Sequence, residues 1–246
     1  MRSAKDLIVK PVRASIGNQK CIDLHYSGKY VRNSQIHFGV FLDGKLEGVM
    51  QFGPPINKKG SISIVDGTKW DGMLELNRMA FSDVLPRNSE SRAMAVAFRV
   101  IKKRYPQIEW VLSFSDATQC GDGAIYRASG FVLTDIRKSR ALRRNPATGE
   151  VMHDIQAHHL MIQKDFRTWP LVEGFQLRYI KFLSSSARNR LAVPVLPFSD
   201  IDKLGARMYR GSKPSVGSVE SDTPAIQAGE DGATPISTLQ TKEAHG

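Results

Sequence analysis

The stretch from Leu74 to Phe131 constrains the fold most, because its residues leave little freedom in the order of elements. LELNRMAF, from Leu74 to Phe81, reads as a strand with Leu74, Leu76 and Arg78 on one face and Glu75, Asn77 and Met79 on the other. Pro86-Arg87-Asn88-Ser89 then turns the chain. Ala93, Val96, Ala97, Val100 and Ile101 follow at helical spacing until Pro106, with Asn88 or Ser89 as the natural N-cap. WVLSFSD, from Trp110 to Asp116, is apolar enough to be a central strand, and Gly123 to Phe131 reads as a short helix closed by Gly130. Strand, helix, strand and helix in this order predict an α/β architecture with helices packed on a sheet.

The flanking chain adds strands. IHFGVFLDGKLEGVMQF, from Ile36 to Phe52, is a hairpin around Asp43-Gly44, the dipeptide that accepts the positive φ angles of a tight turn. Before it, a short apolar segment leads to a helix start, and Cys21 to Val31 runs from helix to loop. Asn57 to Trp70 reads as an exposed connection, His153 to Phe166 as an alternating strand, and Gly174 precedes a last strand, FQLRYIKFL. A hydrophobic fraction of 41% in 246 residues supports at least one sizeable core. No apolar run is long enough to cross a bilayer and the amino terminus has no secretory pattern, so a cytoplasmic protein without membrane contact is expected. Cys21 and Cys120 are too few for a disulfide framework and read as buried or idle thiols.

Charge narrows the partner. From Gly211 onward the chain holds two lysines against five carboxylates, so the residues before it carry +14 of a total of +11. A body this basic points to a polyanion, nucleic acid being the usual one, with a generic solubilising surface as the alternative. Lys138, Arg140, Arg143 and Arg144 form the densest basic run and are the first choice for phosphate contacts, with Lys58 and Lys59 as further candidates that could equally be solvated. Residues 211–246, rich in Gly, Ser, Pro and Thr, should be a disordered tail.

Several side chains stand out chemically. Arg78 in line with two leucines needs an anion, either a structural carboxylate or a phosphate or substrate. Arg87, Ser89, Ser91 and Arg92 surround a helix N-terminus that suits a phosphate, although an ordinary capped helix reads the same way. Asp116 emerges at the carboxyl end of its strand, as a base, an orienting carboxylate or a turn cap. Tyr126 lies in the short helix beside that strand end, where a phenol can protonate or bind a leaving group. Tyr26, in His25-Tyr26-Ser27-Gly28, faces a cleft or only caps the core. His158 and His159 fall on opposite faces of the expected strand and make no recognisable metal set, so iron has no clear ligand motif.

LELNRMAF, the helix after it, SFSD and YRASGF together resemble the core of the GNAT superfamily of N-acyltransferases. HYSGKYV, FGVFLDGKLEGVMQFG, LELNRMAFSD, PRNSESRA, SFSD and GAIYRASGF, taken in order over roughly Ile22 to Arg210, resemble the Mom family of bacteriophage DNA-modification proteins. The resemblance implies a mixed, mostly antiparallel central sheet flanked by helices. It divides the chain into a catalytic domain at 1–183, a basic extension at 184–210 packing on it, and the tail. It also implies a transferase that converts adenine in double-stranded DNA to N6-carbamoylmethyladenine and so shields phage DNA from host restriction. On the matching positions, Tyr26, Arg78, Ser91, Asp116 and Tyr126 are the residues expected to carry the reaction. Arg87, Ser89 and Arg92 join Arg78, Ser91 and Tyr126 around the donor.

One departure bears on that donor. Enzymes of the superfamily cradle coenzyme A with a glycine-containing turn, and PRNSESRA has no glycine. The product is glycinamide attached to the purine ring, which acetyl transfer from acetyl-CoA does not make. An activated glycine such as glycyl-tRNA fits the product, with tRNA then a second nucleic-acid partner. Runner-up readings are an acetyl-CoA-dependent N-acetyltransferase acting on a protein or small amine, and an inactive DNA-binding relative; a homodimer is left open.

Overall fold

A computed structural model describes residues 2–25, 27–117, 123–139, 142–154, 157 and 160–206. After a capped 3-10 turn, Ala4–Asp6, the elements are β1 (Ile8–Pro11), α1 (Ala14–Leu24), β2 (Ile36–Leu42), β3 (Lys45–Gly53), α2 (Lys58–Ile62), β4 (Met73–Phe81) and α3 (Ser89–Arg104). They continue as β5 (Trp110–Asp116), α4 (Ala124–Ala128), β6 (Val132–Ser139), β7 (Leu142–Arg144), β8 (Val151–His153), α5 (Gln163–Phe166), β9 (Gly174–Phe182), α6 (Ser185–Asn189) and α7 (Ser199–Lys203). The main sheet runs β1-β2-β3-β4-β5-β9-β6, with every neighbour antiparallel except the parallel pair β4 and β5. This is the mixed, mostly antiparallel sheet expected. The last strand lies between β5 and β6, an order that no local pattern encodes.

Two layers cover the sheet. Ala93, Met94, Ala97, Phe98 and Ile101 of α3 pack on Phe38, Met50, Phe52, Leu74, Leu76 and Val111 in the main core. Each such fully buried large side chain is worth about 1.5–3 kcal/mol. The opposite face carries α1, whose Cys21 packs on Val49 and Ala80, and a second cluster of Met73, Trp110, Leu112 and Ile180 with Ile64, Val65 and Ala187. Residues 184–206 lie against this body, with Ile201 and Ala206 in the main core. The hairpin turn is as expected, Asp43 and Gly44 both having positive φ.

Three sequence readings change. Asn57 to Trp70 is not simply an exposed connection: Ile64 and Val65 are buried, and Thr68 accepts a hydrogen bond from the indole of buried Trp110 at 3.0 Å. The strand expected from His153 to Phe166 ends at His153, and Gln163–Phe166 is helical, because Phe166 turns inward with Met152 and Ala157 into a small core of its own, with Trp169 against it. The third concerns Arg78. A register shift between Gln51 and Phe52 pairs Gln51 with Arg78 and Phe52 with Leu76, leaving Asn77 as a bulge. The bulge resets the alternation, so Leu74, Leu76, Met79 and Phe81 share the α3 face. Arg78 therefore lies on the α1 face with Glu75, not in line with the leucines.

Candidate functional site

Strands β4 and β5 pair only from Met73 with Trp110 to Glu75 with Leu112. Beyond that point β4 continues on β3, β5 continues on β9, and the two separate. The separation leaves an opening between the two strands, with Arg78 and Asp116 on one side and Tyr126 on the other.

The α1 side is polar and charged. Arg78 donates from Nε to the carbonyl of Lys29 at 3.4 Å and from Nη1 to that of Asn77 at 2.8 Å, and no carboxylate lies within ion-pair distance of it among the described residues. Glu75, three residues before it, is mostly buried, and loss of water pushes its carboxyl up to about 7, against the opposing pull of an Asn77 hydrogen bond and the Arg78 charge. Burial and the same guanidinium push His25 down to about 4, so its ring is neutral at pH 7. Its Nδ1 accepts from the Ser27 amide at 3.2 Å and lies 2.8 Å from the Ser27 hydroxyl, which leaves the ring proton on Nε2. Cys21 is buried, its thiol pushed up by desolvation, as the sequence suggested for an idle thiol. The row continues across the sheet through Gln51, whose amide donates to Asn18 at 2.8 Å beside the ring of His37. Asp116 belongs to this side as well, since Trp110 and Leu112 pack away from α3 and β5 alternates regularly to its end.

The α3 side is aromatic. Rings run from Phe38 to Phe52, Phe98, Phe131 and Tyr126 with centroids 5.2–6.2 Å apart, and Tyr126 stacks on Tyr179 at 4.4 Å. Each contact adds about 0.5–1.5 kcal/mol. The Tyr126 phenol accepts a hydrogen bond from Ser113 of β5 at 3.1 Å, and the buried hydroxyl of Ser115, on the same face, has no hydrogen-bond partner among the described residues. Gly123 begins α4 at φ +71, where a Cβ would lie 2.0 Å from the Tyr179 hydroxyl, so only glycine lets the helix reach this place. Tyr126 and Asp116 therefore flank β5 from opposite faces.

At the head of α3, Asn88 occupies the N-cap position at φ +68 without a side-chain cap bond. Asparagine tolerates this left-handed conformation better than most residues, so the turn has the backbone shape that glycine provides elsewhere. Ser89 is buried and donates to the Pro86 carbonyl, while Ser91 donates to that of Asn88 at 3.1 Å. Arg87 and Arg92 are exposed beside them.

The described cations of the basic run make local contacts, with Lys138 and Arg144 still exposed. Lys138 pairs with Glu173 at 2.7 Å, Arg143 donates to the Trp169 carbonyl at 2.6 Å, and Arg144 donates to that of Gly149 at 2.7 Å. Lys58 lies over the ring of Trp70, 4.6 Å from its centroid, and Lys59 is exposed. Tyr26, Arg140, His158, His159 and Cys120 lie outside the described residues, as does all of 207–246. Among the described residues no three His, Cys, Asp or Glu side chains gather in a way that could hold a metal, and no helix is long and apolar enough to cross a membrane.

Sequence reasoning missed Glu75. Its alternation placed it opposite Arg78, and only the bulge at Asn77 brings the two onto one face.

A family model described as the Mom protein family matches residues 6–200. A relative from Escherichia phage Mu, "Methylcarbamoylase mom", is 36% identical over 197 residues, covering 76% of this chain and 80% of the relative. Among solved structures, an N-acetyltransferase from Staphylococcus aureus Mu50 is similar with a TM-score of 0.46 and 8% identity, over 72% of this chain and 99% of that one. The ribosomal-protein-S18-alanine N-acetyltransferase from Escherichia coli gives a TM-score of 0.42 and 11% identity, over 72% of this chain and 94% of that one.

Proposed function

The chain belongs to the Mom protein family, and from that premise we propose that it is a transferase that converts adenine in double-stranded DNA to N6-carbamoylmethyladenine and so protects phage DNA from restriction. The observation that carries the reading at the site is the pairing of a mostly buried carboxyl, Glu75, with Arg78 on one side of the β4–β5 opening. The adenine amino group is a weak nucleophile and must shed a proton as it attacks. A carboxyl with its midpoint near 7 is matched to that task, being ionised in part of the population yet basic enough to accept the proton. Arg78, its charge not spent on an ion pair, stabilises the oxyanion that forms at the donor carbonyl. Asp116, on the same side, steers the second proton movement. Tyr126 acts from the other side, assisting departure of the donor's hydroxyl.

The donor is an aminoacyl ester of glycine, held along the opening with Ser91, Ser89, Arg87 and Arg92 around its phosphates at the head of α3. Its polar atoms can satisfy the orphaned Ser115 hydroxyl. In the first step adenine N6 bonds to the glycyl carbonyl, the ester C–O bond breaks, and the ribose hydroxyl leaves with the proton taken from N6. In the second, the glycyl amine bonds to ring carbon C6 and the C6–N6 bond breaks. The former N6, reprotonated, becomes the carboxamide nitrogen, which gives the methylene linkage. Reaching N6 in a duplex requires extrusion of the base.

The test is a reaction of the purified chain with glycyl-tRNA and duplex DNA carrying nitrogen-15 at adenine N6. The label is expected in the carboxamide. Label retained on the ring, or turnover supported by acetyl-CoA alone, would overturn this donor chemistry.

A further inference from the structure

The connection between β3 and β4 carries two large apolar side chains that face solvent, Ile56 at 96% and Trp70 at 64% exposure. Folding does not account for them, since the same connection buries Ile64 and Val65. An indole this exposed, with an ammonium held over one face, is suited to contact with a planar partner. Lys58, two residues after Ile56, lies 4.6 Å over the indole.

Cations surround them. Lys58, Lys59 and Lys69 come from the connection itself, and α6 brings exposed Arg188 to the same place, because Asp66 and Ile64 bond to the main chain of Arg190 and Ala192. Arg190 is spent on Glu109 at 2.6 Å, and Asp66 and Asp71 are the other carboxylates nearby. The patch is thus net basic with an aromatic face at its centre, the composition that lets a protein hold phosphates while stacking on a base. The chain also links it to the site. The loop after α1 places His25 beside Arg78 and gives its Lys29 carbonyl to that guanidinium, then reaches the connection, where Asn33 donates to the Pro54 carbonyl at 2.9 Å. Gly53 is required at this junction, since a Cβ would lie 2.5 Å from the Asn33 carbonyl oxygen.

We propose that Trp70 and Ile56, ringed by Lys58, Lys59, Lys69 and Arg188, form a surface that grips the target DNA duplex. Trp70 stacks on a base unstacked next to the extruded adenine, and Ile56 wedges into the gap. This rests on the reading of the chain as a DNA-adenine transferase, and it adds a second phosphate-contacting surface to the Lys138–Arg144 run, in which Lys138 and Arg144 are exposed.

Fluorescence anisotropy with a mixed-sequence DNA duplex, which needs neither donor nor turnover, tests it across a salt series. Trp70→Ala is expected to weaken binding about tenfold with the salt slope unchanged, and Trp70→Phe to recover most of the loss. Lys58→Ala with Lys59→Ala is expected to flatten the slope of log K against log salt by about 2. Trp70 is exposed, so these variants should keep the wild-type circular dichroism. Wild-type affinity in Trp70→Ala and in Ile56→Ser would overturn the proposal while leaving the proposed function standing if adenine is still modified. Loss of affinity for a tRNA acceptor hairpin, with duplex binding unaltered, would overturn it in favour of an RNA surface. No duplex binding by the wild type would overturn both.

Discussion

The two sides of the β4–β5 opening are built on opposite principles. On the α3 side packing dominates: Tyr126 is stacked, edge-packed and hydrogen-bonded, and the rings around it run unbroken to β2. On the α1 side, charged and titratable groups are held in a partly desolvated place. Glu75 is desolvated, His25 is kept neutral, and Arg78 is fixed by two carbonyls that leave its charge unmatched. Rigid apolar packing locates a donor, and desolvated polar groups move protons. In the proposed mechanism the α1 side carries the proton movements, and the α3 side positions the donor and assists its departure.

Substitutions can break that assignment, and the largest effect belongs to the α1 side. Glu75→Gln should lower the single-turnover rate of adenine modification by about 10²–10⁴ with the fold intact. Arg78→Ala should lower it by about 10²–10³, and Arg78→Lys should not restore it, because one ammonium cannot span the Lys29 and Asn77 carbonyls while facing the donor. On the α3 side the expected losses are of stability. Gly123→Ala meets both a positive φ and the Tyr179 hydroxyl, and should cost about 1–3 kcal/mol in denaturant unfolding. Tyr126→Phe keeps the rings and loses the Ser113 hydrogen bond, about 1 kcal/mol, with a rate loss of about tenfold at most.

The pH dependence sharpens the same comparison. Glu75 holds its proton to about 7 in the folded chain against an ordinary value of 4.5. Its contribution to stability is thus fully present below about 4.5 and is lost as pH rises through about 7. The modification rate should climb over the upper part of that window while unfolding becomes easier, and Glu75→Gln should flatten both trends. His25 works in the other direction: its folded value of about 4 lies below 6.5, so its contribution is present above 6.5 and is lost as pH falls through about 4.

Much of the α3 side was legible in the sequence. The strand from Trp110 to Asp116, the helix behind PRNS and the short helix with Tyr126 follow from periodicity, capping residues and Gly130. The α1 side was not, for a local reason. Alternation along LELNRMAF is interrupted by one bulge, and a single extra residue moves Arg78 to the other face and makes Glu75 its neighbour. Nothing in the composition of β4 announces the bulge; it depends on the register with Gln51 and Phe52 of β3. The placement of β9 between β5 and β6 escaped in the same way, since it is settled by pairing between residues far apart in the chain. The stretch after His153 misled because a short apolar alternation reads as a strand, whereas a helical turn lets Phe166 reach Met152 and Trp169.

Nucleoside mass spectrometry of DNA from cells expressing the wild type, Tyr126→Phe and Glu75→Gln puts the division of labour to the most direct test. N6-carbamoylmethyladenine is predicted with the wild type, at reduced yield with Tyr126→Phe, and at background with Glu75→Gln. Wild-type levels of the modified base from Glu75→Gln, or unmodified adenine from the wild type, would contradict it.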